Sequence, residues 1–477
     1  MNPLSQKLMR SWAAAGPRFL PFADAASAEL PLSRLLRLSL FQVSVGMALV
    51  LLVGTLNRVM IVELGVSASV VAVMISLPVL FAPLRALIGF KSDTHRSALG
   101  WRRVPFIWKG TLIQFGGLAI MPFALLVLSG GGHASQAPAW VGQAGAAIAF
   151  LLVGAGLHIT QTAGLALATD LAPVETQPRV VGLMYVMLLL GSIVSALVFG
   201  ALLQDFSPGR LIEVIQGAAV ATIALNLLAL WKQETRRPQR GAPQAPGPAP
   251  RFLDSWGSFA QGPGAQRRLL AVGLGTMAFS MQDVLLEPYG GQVLHLTVSA
   301  TTALTAALAM GGLLGFWLAS RVLAKPGADP FRTAGHGALF GMAAFAAVIA
   351  AARLQSPLLF GAGVMAIGFG GGLFGHGTLT ATMNLAPKEQ AGLALGAWGA
   401  VQATAAGVAV AFGGIGRDLV AAAAQRQWLP AGWNGPASGY IAVYALEMLL
   451  LLATLVAMAP LMRRVGDRPA AVVAAVE

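Results

Sequence analysis

Asp283 and Glu287 stand one helical turn apart in a stretch, Ala271 to Gly291, that is otherwise apolar, small or neutral. Only 18 of the 477 residues are acidic, so two carboxylates in such a segment need a physical reason. A charge surrounded by hydrocarbon is expensive unless it is paired, neutralised or turned toward a wet cavity. The pair therefore marks a polar interior, and the chemistry open to it is ion pairing and proton binding. Arg58 is the cation at matching depth. At the helical rise per residue, Asp283 lies roughly 22 Å and Glu287 roughly 28 Å beyond Arg268, while Arg58 lies roughly 31 Å beyond Arg37. We expect Arg58 to pair with Glu287, with Asp283 beside them, as a clamp on the external side of a central cavity. The competing expectation puts Glu287 in interfacial water ahead of the Pro288 break. Tyr289 belongs either to the clamp or to an aromatic belt at the membrane surface.

The elements that must position these groups are membrane spans. The chain is 56% apolar and 10% charged with mean hydropathy +0.73, far from the roughly 25% charged residues of an ordinary soluble domain. Cysteine is absent, which excludes disulfides, thiolate metal sites and thiol catalysis. The 31 basic against 18 acidic residues give a net charge of +13. In a membrane chain that excess fits cytoplasmic loops beside anionic lipid and not nucleic acid. The first residues carry Lys7, Arg10 and Arg18 without a signal-peptide pattern, and they read either as a short interfacial helix or as a disordered tail.

Twelve segments suffice to cross a bilayer, near 37–61, 68–90, 104–129, 141–169, 180–203, 210–231, 268–288, 298–321, 332–352, 357–384, 390–415 and 438–461. The even-numbered loops and the tail hold most of the arginines, from Arg96, Arg102 and Arg103 to Arg463 and Arg464, so both termini are expected in the cytoplasm. The chain thus divides into a cytoplasmic segment 1–36, a six-helix bundle 37–231, a Pro- and Arg-rich linker 232–267, a second bundle 268–462 and a tail 463–477. The halves echo each other. Gly154, Gly156, Leu171-Ala-Pro173 and Gly200 recur 214 positions later as Gly368, Gly370, Leu385-Ala-Pro387 and Gly414, and Val66-Ser-Ala68 recurs 232 later as Val298-Ser-Ala300. A duplicated all-α fold places its central cavity between the halves, near the membrane midplane.

The loop after the second span, Gly89, Asp93, Arg102 and Arg103, resembles the cytoplasmic loop motif of the major facilitator superfamily. There Asp93 is expected to cap and pair at a helix end while Arg102 and Arg103 stay in water, as a hinge lock or a topology-fixing basic loop. Three further strings are more specific: Leu56-Asn-Arg-Val-Met-Ile-Val-Glu-Leu64, Gln282-Asp-Val-Leu-Leu-Glu-Pro-Tyr-Gly-Gly291 and Asn384-Leu-Ala-Pro-Lys-Glu389. Together they resemble the bacteriochlorophyll delivery family, the PucC/LhaA type of light-harvesting complex assembly factors, over nearly the whole chain. The resemblance implies a twelve-helix major facilitator fold in the intracytoplasmic photosynthetic membrane. It also implies bound bacteriochlorophyll and contact with antenna polypeptides and the reaction centre, extending to bacteriochlorophyll synthase and the membrane insertion machinery. Among family members, the core-antenna (light-harvesting 1) type is expected.

Bacteriochlorophyll offers a magnesium with an open axial position, which a neutral imidazole fills. His158 and His376 are the two histidines well inside expected spans, on equivalent helices and amid glycines that would let a flat macrocycle approach or let helices pack closely. A hydrogen-bonded core role is the alternative for each. A proton-coupled small-molecule transporter, with Asp283 as the protonatable group, is the alternative for the whole chain. Enzyme readings fail on inventory, since no catalytic triad spacing, HExxH, Walker loop or dinucleotide fingerprint occurs in a credible context.

Overall fold

The computed structural model describes residues 30–78, 88, 92, 100–129, 138–173, 176–234, 264–323, 325, 327–385, 391–430 and 435–462. Among them there is no strand. Ten helices are long and apolar enough to cross a membrane, and an eleventh span consists of two pieces meeting at 41°. The chain is therefore an all-α, multi-pass membrane protein.

The first bundle holds α1 (Leu32–Glu63), α2 (Ala68–Ser76), α3 (Val104–Leu128), α4 (Ala139–Leu171), α5 (Gln177–Leu202) and α6 (Pro208–Leu230). The second holds α7 (Ala265–Ser280) and α8 (Leu286–Val293), which make up the bent span, then α9 (Val298–Leu323), α10 (Pro330–Leu354), α11 (Pro357–Leu385), α12 (Ala391–Gln425) and α13 (Ser438–Met458). Of the expected second span, α2 is the described part, and most of 79–90 lies outside the described residues. So do the expected N-terminal interfacial helix, most of the linker and the tail. α12 runs ten residues past its expected end, because the alanine run after Val420 favours helix although its hydropathy is weak.

The halves meet along two helix pairs, α5 on α9 and α2 on α12. These contacts are images of each other under the repeat, and so are the glycines that make them close. A Cβ on Gly200 of α5 would come 3.3 Å from the carbonyl oxygen of Ser299, and one on Gly414 of α12 would come 2.7 Å from that of Ala68. Gly200 and Gly414 are the residues matched by the 214-residue repeat, and Ala68 and Ser299 lie in the string matched by the 232-residue repeat. Internal duplication thus reappears as a duplicated seam.

Two departures from regular helix shape that seam. In α1, π-helical turns occupy Val50–Leu56 and Val59–Glu63, a geometry that recurs at functional positions. The seventh span does not run straight from 268 to 288 as expected. It tightens into a 3₁₀ turn at Met281–Val284 and restarts at Leu286. Pro288 explains the break: it has no N–H for the carbonyl of Val284, four residues earlier, and its ring crowds that carbonyl.

Candidate functional site

The orphaned Val284 carbonyl accepts a hydrogen bond from Asn57 Nδ2 of α1 at 3.0 Å, so the break is closed from the opposite bundle. Nearby, Thr55 and Thr302 hydroxyls lie 3.3 Å apart across the same seam. The two most distinctive strings of the sequence therefore touch one another. Glu287 is buried, 3% exposed, and Thr305 Oγ1 of α9 donates to its Oε1 at 2.5 Å. Its Oε2 has no hydrogen-bond partner. Gly54 of α1 lies against this carboxyl, where any Cβ would collide with Glu287 Oε1. Asp283, Glu287, Gln282, Thr305 and Gly54 line a cavity of about 50 Å³ between the halves.

The expected Arg58–Glu287 pair is not formed. Arg58, 4% exposed, pairs instead with Glu63 on its own helix, and its Nη2 donates to the carbonyl of Leu296 at 3.1 Å. The π turn at Val59–Glu63 brings residues five apart into reach, which an ordinary α-helical count does not anticipate. Arg58 still bridges the halves, through a backbone carbonyl. Tyr289 is neither a belt residue nor a bridge across the seam. It is wholly buried within the second bundle, donating to the carbonyl of Val348 at 3.1 Å and packing on Phe360, Tyr440 and Tyr444 at ring distances of 5.3–5.4 Å.

Three groups escaped the sequence reading. Glu447 of α13 is fully buried, neither of its oxygens has a side-chain hydrogen-bond partner, and its helix packs on the 3₁₀ turn Met281–Val284 that carries Asp283. Its signal was present: an acid in an otherwise apolar span, the argument applied to Asp283. On α12, Asp418 accepts from the backbone N–H of Ser69 at the start of α2 at 2.7 Å. Beside it, Arg417 donates to Asp418 and to Gln292, which also accepts from Tyr440. This polar patch ties α2, α8, α12 and α13 together at the end of the seam where Arg58 lies.

At the opposite, arginine-rich end, Gly89 and Asp93 lie outside the described residues. Arg103 does not stay in water. It is 4% exposed and donates to Asp170 at 3.0 Å and to Ser92 at 2.6 Å. Arg102 is half-exposed and reaches Asp170 at 3.4 Å. The N-terminus of α3 is capped by Glu234, whose carboxylate accepts from the backbone N–H groups of Arg102, Arg103 and Val104 at 2.5–3.0 Å. A carboxylate at a helix N-terminus satisfies orphan donors and complements the dipole.

The histidines differ. Both are half-buried, but the glycines around His158 are filled by neighbours: Gly154 by Pro78, Gly156 by α3 and Gly164 by Phe41. Around His376, Gly370, Gly372 and Gly377 likewise pack on α10 or α9. Gly375 faces open space, and Gly371 meets only Phe279, 3.7 Å from where its Cβ would be. The His376 ring lies 4.2 Å from that of Phe316, and its Nδ1 is buried without a hydrogen-bond partner. In the repeat register His158 aligns with Gly372, not His376, so the imidazoles are not symmetry mates.

A family model described as PUCC protein matches residues 55–466. The chain belongs to the PucC family. It is 65% identical over 421 residues to Protein PucC of Rhodovulum sulfidophilum, covering 88% of this chain and 92% of that protein. It is 58% identical over 465 residues to Protein PucC of Cereibacter sphaeroides, covering 97% and 98%. More distantly, it is 28% identical to a Rhodobacter capsulatus protein named bacteriochlorophyll synthase 44.5 kDa chain, over 80% of this chain and 86% of that one. Among solved structures it is similar to the nucleoside transporter NupG, with TM-score 0.64 and 15% identity over 90% of this chain and all of that one. A D-xylose–proton symporter gives TM-score 0.61 and 15% identity over 88% and 96%. The fold of this PucC-family chain is that of the major facilitator superfamily.

Proposed function

We propose that this PucC-family chain is a non-enzymatic assembly factor that holds bacteriochlorophyll and antenna polypeptides while light-harvesting complexes are built. The family's photosynthetic context supports this reading, and the distant relative named for bacteriochlorophyll synthase adds to it. The proposed topology has twelve spans with both termini cytoplasmic, in the bacterial inner photosynthetic membrane. The arginine distribution over the loops supports it.

His376 is the proposed pigment ligand, and the observation that carries it is the unpartnered buried Nδ1 beside Gly375 and the Phe316 ring. These residues fit a flat magnesium macrocycle: one imidazole for the open axial position, one aromatic ring and a glycine face that a macrocycle can approach. A bound pigment would supply the absorbing ring and its magnesium. The chain supplies a neutral nitrogen donor and an apolar surface. His158 fits less well because its glycines are occupied. A single-span antenna polypeptide would pack on a lipid-facing wall of small residues, with the core antenna and reaction centre as client and bacteriochlorophyll synthase or the insertion machinery as neighbours.

The test is an absorption spectrum of protein purified from a pigment-making host, beside an inventory of what copurifies. Near-infrared bands with core-antenna polypeptides are expected, with most pigment lost in H376L and retained in H158L. Peripheral-antenna polypeptides in their place would reassign the client. A colourless protein that moves protons together with a soluble substrate would overturn the proposal.

A further inference from the structure

We propose that Glu447, Asp283 and Glu287 form a proton-carrying row, closed at Glu447 inside the second bundle and open at Glu287 to the cavity between the halves. Glu447 is completely buried, with no side-chain hydrogen-bond partner for either oxygen, and the Tyr444 hydroxyl one turn away on α13 is equally buried and unbonded. No Lys, Arg or His among the described residues lies within ion-pair distance of it. An ionised carboxylate in such surroundings costs several kcal/mol, a cost the neutral acid avoids. α13 packs on the 3₁₀ turn Met281–Val284, so Glu447 and Asp283 sit on contacting elements, and two acids close together in a low dielectric do not both ionise.

The groups around Glu447 leave it no other charge partner. The aromatic neighbours on that side are phenols: Tyr444 of α13, with Tyr289 of α8 packed on it and on Tyr440. On α12 the charged residues are Arg417 and Asp418, which pair with each other beside Tyr440. On α10 they are Arg332, His336 and Arg353, toward the two helix ends, and on α7 they are Arg267 and Arg268, in its first turn.

From Asp283 the row reaches the seam. Asp283 and Glu287 line the same cavity of about 50 Å³, and a water needs only about 10–15 Å³ together with two or more polar partners. Gln282 Oε1 and Glu287 Oε2, both buried and unpartnered, supply those partners. A transfer breaks the O–H of one carboxyl and forms an O–H on its neighbour, directly or through water, so charge balances at each step. The chain's net charge changes only when the proton leaves at the seam. Because Glu287 is bonded to α9 and packed on Gly54 of α1, its charge bears directly on the contact between bundles. A metal ion is the poorer occupant: among the described residues no three acidic or imidazole side chains come together to hold one. The row requires no bound pigment, so it stands or falls separately from the pigment proposal.

The experiment is infrared spectroscopy of the full chain in lipid nanodiscs without pigment, titrated from mildly acidic to alkaline pH. A carbonyl band of protonated carboxyl, shifted by deuterium exchange, is expected at neutral pH, bleaching as pH rises. E447Q should remove one such band, and D283N should move its bleaching by about one pH unit or more, as for coupled sites. The wild-type titration keeps the test valid if a variant fails to fold. Three results would overturn the proposal: no protonated-carboxyl band in the wild type, a Glu447 band indifferent to D283N, or bleaching by sodium ions at fixed pH.

Discussion

The two bundles descend from one repeat, yet their interiors solve the polar problem differently. The first is held by neutral groups that bond one another. Ser44 donates to Asn226 at 2.8 Å, Asn226 donates to Thr111 at 2.9 Å, and Gln161 reaches Gln42 at 3.4 Å. Its buried cations are matched, Arg103 by Asp170 and Arg58 by Glu63. The second bundle buries Glu287 and Glu447 and half-buries Asp283, and among the described residues none of the three forms an ion pair. A neutral, bonded network keeps one charge state and one arrangement, whereas acids without counter-ions can change charge and with it the packing around them. The first half is the frame and the second carries the variable chemistry.

The sharpest way to break this contrast is to remove one of the buried cations of the frame. R103A removes the buried end of the pair with Asp170 and the bond to Ser92 and should cost about 1–3 kcal/mol, while R102A, whose pair is half-exposed on both sides, should cost under about 1 kcal/mol. Thermal unfolding in detergent reads both, and equal effects would deny that the pair is structural. A pair of leucine substitutions comes next. N226L should lower stability by about 1–3 kcal/mol, because it strands bonded partners. E447L should be neutral or raise stability, because it removes a buried acid that no side chain bonds. If both destabilise alike, the halves do not differ as described.

Smaller effects sharpen the seam. G54A drives a methyl group into the Glu287 carboxyl and should cost about 1–3 kcal/mol. G375A meets nothing and should stay within about 0.5 kcal/mol of wild type. The same G375A protein, if His376 holds pigment, should bind less of it, separating binding from stability.

Much of this arrangement was legible in the residues. Hydropathy located the spans that the described residues show, the repeat located the seam, and the cost of burying charge singled out Asp283, Glu287 and Arg58. What escaped depended on local backbone geometry. The π turns of α1 redirect Arg58 to Glu63, and no residue pattern announces a π turn. Glu234 looked like the start of a charged linker, because its role as a cap for α3 requires two distant segments to meet. The glycines around His158 and His376 looked alike in sequence, although most serve helix packing and only Gly371 and Gly375 leave room. Glu447 carries the same signal as Asp283, an acid within an apolar span.

The central claim is that the polar strings of α1 and of the span formed by α7 and α8 face each other across a seam between bundles. The chain has no cysteine of its own, so a cysteine pair reports without background. Thr55 and Thr302, with hydroxyls 3.3 Å apart, are the pair to replace. Under mild oxidation, T55C/T302C should join the halves, so that cleavage within the linker leaves one band until reductant is added. If that pair stays reduced while a control pair, T55C with the exposed Leu314 replaced by cysteine, cross-links instead, the seam is wrongly assigned and the account of its carboxyls fails with it.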